Sequence, residues 1–383
     1  MNNKKIVFIN QDSGQLFGDI VNAFSWAGYS CTLLSTAKYN INLDPDVKFV
    51  ECETYDRSTT LKRLLTWLKY TKQAYKYVRR HKDEELFIVS NPPLAMFIPL
   101  KLKRVYSLLI YDIYPDAIVS VGLLKEHNPL IKWWKKRNKV IYANAKAIYT
   151  LSNNMASSMG QYCDVKKIKV IPNWADTSMM KPIRHMENPF LIERQLQNKF
   201  IVLYSGNMGM THKIEALVEV ATLLKEQSDI VFILIGMGAK KPLIENMVKE
   251  RSLNNCIVMP YLPLEQTPYS IGAADVGVIT IDENSANVSV PSKTYNMLAV
   301  GSALMCISPK GTELSELVKE YNVGETFRSD EIDKMKDYIL DLFNNPTKIQ
   351  LYKDNSRNAS MYFTPQNTEK YVEHYNEVSN YCN

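Results

Sequence analysis

The sequence predicts an α/β protein of two doubly wound domains facing a cleft. Short apolar runs alternate with helical periods along the whole chain. At 383 residues the chain is also too long for a single ordinary core. The net charge of +6 divides unevenly as well. Residues 1–182 carry 27 Lys/Arg against 15 Asp/Glu, and residues 183–383 carry 19 against 25, so the halves have opposite sign.

In the first half the strand candidates are IVFIN (6–10), YSCTLLS (29–35), LFIVS (86–90), SLLIYD (107–112), AIYTLS (147–152) and KVIP (169–172). In the second they are FIVLYS (200–205), IVFILIG (230–236), CIVM (256–259), VGVITI (276–281) and ALMCI (303–307). Near-continuous apolar character marks parallel strands covered on both faces. Helical stretches lie between them, for example 17–28, 58–81, 128–144 and 212–227. In the last of these, Ile214, Leu217, Val218, Ala221 and Leu224 form one apolar stripe. Residues 172–190 contain three prolines and no sustained period, and a linker is read near residues 173–198. The expected division is a first domain over 1–182, a linker over 183–198, a second domain over 199–360 and a closing helical stretch over 361–383. That last stretch is placed to pack back onto the first domain.

The composition, 46% hydrophobic and 22% charged, is that of a soluble globular chain. No run of about 18 apolar residues is present to span a bilayer. The N-terminus enters its first strand pattern without a signal-peptide core, so a cytoplasmic protein is expected. The six cysteines (31, 52, 163, 256, 306 and 382) are scattered, with no CxxC and no histidine at metal spacing. They read as reduced packing residues, and no metal or cofactor is expected.

Ligands of doubly wound sheets bind outside the carboxyl ends of the strands, so the loops just after each strand matter most. After strand 200–205, Gly206 and Gly209 let backbone amides approach an anion, with Lys213 nearby; an ordinary strand-to-helix turn is the alternative. After strand 230–236, Gly236 and Gly238 permit a tight turn. Lys240 and Lys241 then open a helix against its dipole, unless an anion compensates them; solvated lysines are the alternative. After strand 256–259, Tyr261 and Leu262 suit a flat apolar group such as a nucleobase, or simply pack on their own domain. After strand 276–281, Pro291, Ser292 and Lys293 open a short helix whose hydroxyl and ammonium suit a diphosphate. Four such loops on one strand edge point to an anion site.

In the first domain, SNPP (90–93) forms a rigid loop after a strand. DIYPD (112–116) brings two carboxylates to the end of the next one. Asp112 or Asp116 could orient or deprotonate a hydroxyl; Asp116 could equally cap the following helix. No histidine directly follows a first-domain strand.

The stretches LFIVSNPPLAMFIPL, LLIYDIYPDAIVSVGLL, AIYTLSNNMASSM, KVIPNWADTSMMKP, LYSGNMGMTHKIEALVEVA, LIGMGAKKPLI, AADVGVITI and VPSKTYNMLAVGSALMCI occur in the order found in the family 4 retaining glycosyltransferases. The sequence resembles that family, in the branch that makes colanic acid, O-antigen and capsular polysaccharide, including fucosamine-type transferases. The resemblance implies a GT-B architecture of two Rossmann-like domains, with the donor nucleotide sugar in the second and the acceptor on the first. It implies metal-independent transfer with retention. Gly206 and Asn207 would lie by the diphosphate, Lys293 would neutralise it, and the 259–262 loop would hold the base. Gly14, Asn91 and Asp112 would face the donor–acceptor junction. The chain departs from the family in places. Val288 and Asn296 stand where many members carry Glu-x7-Glu, with Asn296 still able to bond a ribose hydroxyl. Tyr111 replaces a common histidine. The Arg or Lys expected soon after the Gly-Asn step is absent, unless Lys213 takes its place.

Residues 57–82 hold nine Lys/Arg and no Asp/Glu, with an apolar stripe of Leu61, Leu64, Leu65 and Leu68. A second cluster (131–139) sets Trp133 and Trp134 among cations. Basic amphipathic helices with aromatics favour anionic lipid surfaces; the alternative is a core stripe under solvated lysines. No nucleic-acid-binding motif accompanies the charge. The expected activity is transfer from a nucleotide diphosphate sugar, a UDP-sugar by preference, to a polyprenyl-diphosphate-linked saccharide at the inner face of the cell membrane. Lys293 and Asp112 are the catalytic candidates. The competing readings are a nucleotide-sugar 2-epimerase and a non-catalytic nucleotide-sugar-binding protein.

Overall fold

The computed structural model describes residues 4–36, 41–56, 58–120, 122–210, 212–281 and 291–380, so Val288 and the rest of 282–290, as well as Cys382, lie outside the described residues. The chain forms two compact units, Met1–Pro172 with Pro365–Asn383, and Asn173–Thr364.

The first unit is a parallel sheet of β1 (Lys5–Ile9), β2 (Ser30–Ser35), β3 (Lys48–Glu51), β4 (Glu84–Val89), β5 (Tyr106–Ile110), β6 (Ile148–Thr150) and β7 (Ile168–Val170), in the order 3-2-1-4-5-6-7. The second is a parallel sheet of β8 (Phe200–Ser205), β9 (Ile230–Ile235), β10 (Cys256–Met259), β11 (Val276–Thr280), β12 (Ala303–Ile307) and β13 (Gly324–Phe327), in the order 10-9-8-11-12-13. Each is the doubly wound pattern, with order reversing between β1 and β4 and between β8 and β11. β3 and β13 were not foreseen. Both are four-residue edge strands, KFVE and GETF, too short and too mixed in composition to carry an apolar signature.

The inner strands are legible because helices cover both faces. Val202 and Tyr204 point into one core layer, while Ile201 and Leu203 point into the other. In the first unit the core is aromatic: Phe8 meets Phe24 at 5.5 Å and Phe87 at 5.2 Å. The helix Glu369–Asn380 extends that core. Tyr375 packs edge-on against Phe24 at 5.2 Å and bonds Glu85, and Tyr149 donates to the Tyr371 carbonyl at 3.1 Å.

The expected linker is a correction. The division falls at 172/173, ten residues before 182, and the segment that follows is part of the second unit's core. Trp174, Phe190 and Leu191 are buried. The Ala175 amide donates to the Phe363 carbonyl at 3.1 Å, and Arg357 donates to the carbonyls of Met180 (3.2 Å) and Ala299 (2.7 Å). Prolines broke the local period there, but the buried side chains still seal a sheet face. Five cysteines are free thiols among the described residues, and burial pushes Cys31 and Cys256 up to about 12.

Candidate active site

The second unit's switch point lies between the ends of β8 and β11, and the glycine loops close on each other there. The Gly206 amide donates to the Ile235 carbonyl and the Gly236 amide to that of Met259, both at 2.9 Å, which carries the strand register one residue into the loops. A Cβ on Gly236 would stand 1.9 Å from the Gly206 carbonyl oxygen. Gly238 has φ +147°, and a Cβ there would meet the Met208 backbone at 2.6 Å. Neither position admits a side chain, so the two backbones approach each other directly.

Lys293 reaches into this crevice. Its Nζ donates to the Tyr204 hydroxyl at 3.0 Å and lies 4.1 Å from the Tyr204 ring centroid. A Cβ on Gly206 would come within 3.0 Å of the same Nζ. Among the described residues no carboxylate pairs with it, and burial alone lowers the ammonium to about 7. Pro291 and Ser292 precede it at the helix start. That helix, Lys293–Ala299, has only seven residues, and Ser292 makes no side-chain cap bond, so the lysine side chain outweighs the helix dipole here. Asn296 sits half-buried on the next turn.

The other cations of this edge are differently placed. Lys240 is buried, paired with Glu215 at 2.7 Å and donating to the His212 carbonyl at 2.9 Å. Lys241, expected at the donor, is turned along its own helix to Glu245. Both lysines against the helix dipole are thus compensated from within the protein; Glu215 comes from a different helix, which local sequence does not reveal. Lys213 is exposed, and its amide donates to Thr280 at 3.2 Å, joining the loop after β8 to the end of β11. Asn207 is exposed beside Gly206. Tyr261 is exposed too, and Leu262 packs half-buried on the core. Tyr204 was missed, since within FIVLYS it reads as one more core residue.

The first unit's switch point is filled by the protein's own bonds. The Gln11 amide donates to the Asn91 carbonyl at 2.9 Å. The Gln11 side chain donates at 3.2 Å to the carbonyls of Glu53 and Thr66, the latter on the helix Thr60–Arg80. Ser90 Oγ accepts from the amides of Tyr111 (3.0 Å) and Asp112 (3.2 Å), which fixes Asp112 just past β5. Gly14 caps the helix Gln15–Trp26 with ordinary backbone angles and open space about its Cα. Asp116 is held by Tyr162 and by Lys135 at 2.9 Å. That engagement ties the start of the helix Asp116–Ser120 to the helix Pro129–Asn144 and to the turn at Tyr162.

The helix Thr60–Arg80 carries two apolar stripes. Trp67, Tyr70, Ala74 and Val78 face the core, whereas Leu61, Leu64, Leu65 and Leu68 are 67%, 44%, 47% and 51% exposed. The core reading of the leucines is therefore overturned. A chain of rings, Trp67–Tyr114–Trp134–Phe97–Trp133, with successive centroids 5.5–6.3 Å apart, links this helix to Pro129–Asn144. It brings the two basic clusters of the sequence side by side. Leu130 and Trp133 are exposed there, and Arg137 lies over Trp133 at 5.8 Å. No helix among the described residues is long and apolar enough to cross a membrane, and none of their His, Cys, Asp and Glu side chains group in threes fit to hold a metal ion.

Residues 190–360 match the family of glycosyl transferases group 1. The probable glycosyltransferase WbjE of Pseudomonas aeruginosa is 25% identical over 287 residues, 72% of this chain and 71% of that protein. The putative colanic acid biosynthesis glycosyl transferase WcaI of Escherichia coli K12 is 26% identical over 182 residues, 46% of this chain and 44% of its own. Among solved structures, sucrose-phosphate synthase from Thermosynechococcus elongatus superposes with a TM-score of 0.77 at 15% identity, covering 98% of this chain and 99% of that one. Anabaena HepE in complex with UDP gives 0.70 at 14% identity, covering 97% and 98%. The structural likenesses carry the fold, and the sequence matches support a glycosyltransferase, with residues 190–360 similar to the group 1 family.

Proposed function

We propose that the chain transfers a sugar, with retention and without a metal, from a UDP-sugar to a lipid-linked saccharide in surface polysaccharide synthesis. The observation that carries the donor half is Lys293, a half-buried ammonium held against glycine backbone at the switch point, with no carboxylate paired to it among the described residues. Such a cation favours an anion that brings its own negative charge. As the glycosidic bond to the diphosphate breaks, charge grows on the leaving oxygen, and a fixed ammonium with nearby amides stabilises it. The acceptor hydroxyl then attacks from the face that the leaving group vacates, with Asp112 and the 90–93 loop on the acceptor side. The UDP bound to HepE and the colanic acid role in the name of WcaI favour this donor and this product class.

The exposed leucines, flanked by cations and by the Trp133 cluster, support peripheral contact of the first unit with anionic lipid at the inner face of the membrane. Each cation near such a surface contributes about 1 kcal/mol, which several of them multiply. A thermal-shift panel of UDP-, GDP- and dTDP-sugars, followed by transfer to a polyprenyl-diphosphate-linked saccharide in the presence of a chelator, tests the reading. Stabilisation by UDP-sugars and chelator-resistant transfer are expected. Stabilisation by no nucleotide sugar overturns the donor site, and epimer formation without acceptor converts the assignment to an epimerase.

A further inference from the structure

We propose that Tyr204 is a positioning residue for the donor diphosphate, holding the Lys293 ammonium against the Gly206–Asn207 loop; the inference rests on the donor-site reading above. Tyr204 is the penultimate residue of β8 and is fully buried. An aliphatic side chain would fill that core position as well, so the hydroxyl needs another reason. It has two partners and serves both: it donates to the Asn207 carbonyl at 2.7 Å and accepts from Lys293 Nζ at 3.0 Å. The ring adds a second hold, with Nζ 4.1 Å from its centroid.

The chemistry of this choice matters. A carboxylate would also hold the lysine, but it would neutralise the charge that a diphosphate needs. A ring face and a neutral hydroxyl fix a cation without a counter-charge that would compete with the ligand. The same hydroxyl pins residue 207, so the ammonium and the loop amides keep one mutual geometry. The missing Cβ of Gly206 lets the lysine side chain lie against this loop, since a Cβ there would stand 3.0 Å from Nζ. Preorganised groups of this kind bind without a reorganisation cost.

The test is a double-mutant cycle read by calorimetric titration of UDP and of inorganic diphosphate, using wild type, Tyr204→Phe, Lys293→Met and the double variant. Tyr204→Phe keeps the ring and removes the hydroxyl, and it should weaken UDP binding about tenfold, the size of one charge-assisted hydrogen bond. Lys293→Met should weaken it more. In the Lys293→Met background the tyrosine change should have a clearly smaller effect, because only its hold on the Asn207 carbonyl is then left to lose. A double variant weaker than Lys293→Met by the full single-variant factor would show that Tyr204 merely supports the fold, and so would unchanged affinity in Tyr204→Phe. If wild type binds neither UDP nor diphosphate, the donor-site reading falls and takes this inference with it.

Discussion

The six strands of the second sheet follow the order of the first six in the other, yet the two switch points are built for different work. In the second unit the loops after β8 and β9 approach so closely that Gly236 tolerates no Cβ, and the crevice holds a lysine with no carboxylate partner among the described residues. In the first unit the same place is occupied by Gln11, Ser90 and their bonds to neighbouring backbone, and Gly14 stands in open space. Topology fixes where a ligand can go, but only the residues at the strand ends decide whether charge is offered to it. The first unit instead presents its distinctive chemistry outward, as leucines and cations on the helix Thr60–Arg80.

The sharpest way to break this contrast is Lys293→Ala. Turnover should fall roughly 10²–10³-fold, as for loss of one fixed group at a developing anion, with the melting temperature held or slightly raised. A steady-state assay beside a melting curve checks it. Next comes a pair of alanine substitutions at equivalent places. Gly236→Ala should cost about 1–3 kcal/mol or more in a denaturant titration, because the loops must separate, while Gly14→Ala should change stability by less than about 0.5 kcal/mol.

The pH dependence of UDP affinity separates the units further. Lys293 is held down to about 7, so affinity should fall up to about tenfold per unit as pH rises above that value. Stability without ligand moves the opposite way. Between about 7 and the ordinary lysine value of 10.5 the unfolded chain binds the extra proton, so this group's contribution rises with pH across that window. In the first unit, replacing Leu65 and Leu68 by Gln should lower partition onto anionic liposomes about tenfold without lowering the melting temperature, since both side chains already face water. The smallest effect belongs to Lys241→Ala. It removes one i,i+4 pair with Glu245 and should cost less than about 0.5 kcal/mol, leaving UDP affinity nearly unchanged.

What could be read from the sequence follows how local each signal is. Strands such as FIVLYS and IVFILIG were plain because both their faces are buried, whereas β3 and β13, short and mixed in composition at sheet edges, carried no comparable pattern. The Gly206, Gly236 and Lys293 positions followed from strand ends. Their neighbours did not: Lys240 is compensated by Glu215 across the structure, and Tyr204 looks like any core aromatic until Lys293 is beside it. The helix Thr60–Arg80 shows a further limit. Its sequence contains two apolar stripes of helical period, and periodicity alone does not say which one faces the core. The segment after Pro172 lost its period to prolines, although Trp174, Phe190 and Leu191 anchor it firmly.

The most direct measurement is calorimetric titration of UDP into wild type and Lys293→Ala below pH 7, with both proteins shown to melt alike. The expected result is saturable binding by wild type and binding at least tenfold weaker in the variant. Equal affinity in the two would contradict the placement of the donor diphosphate at the crevice between β8 and β11.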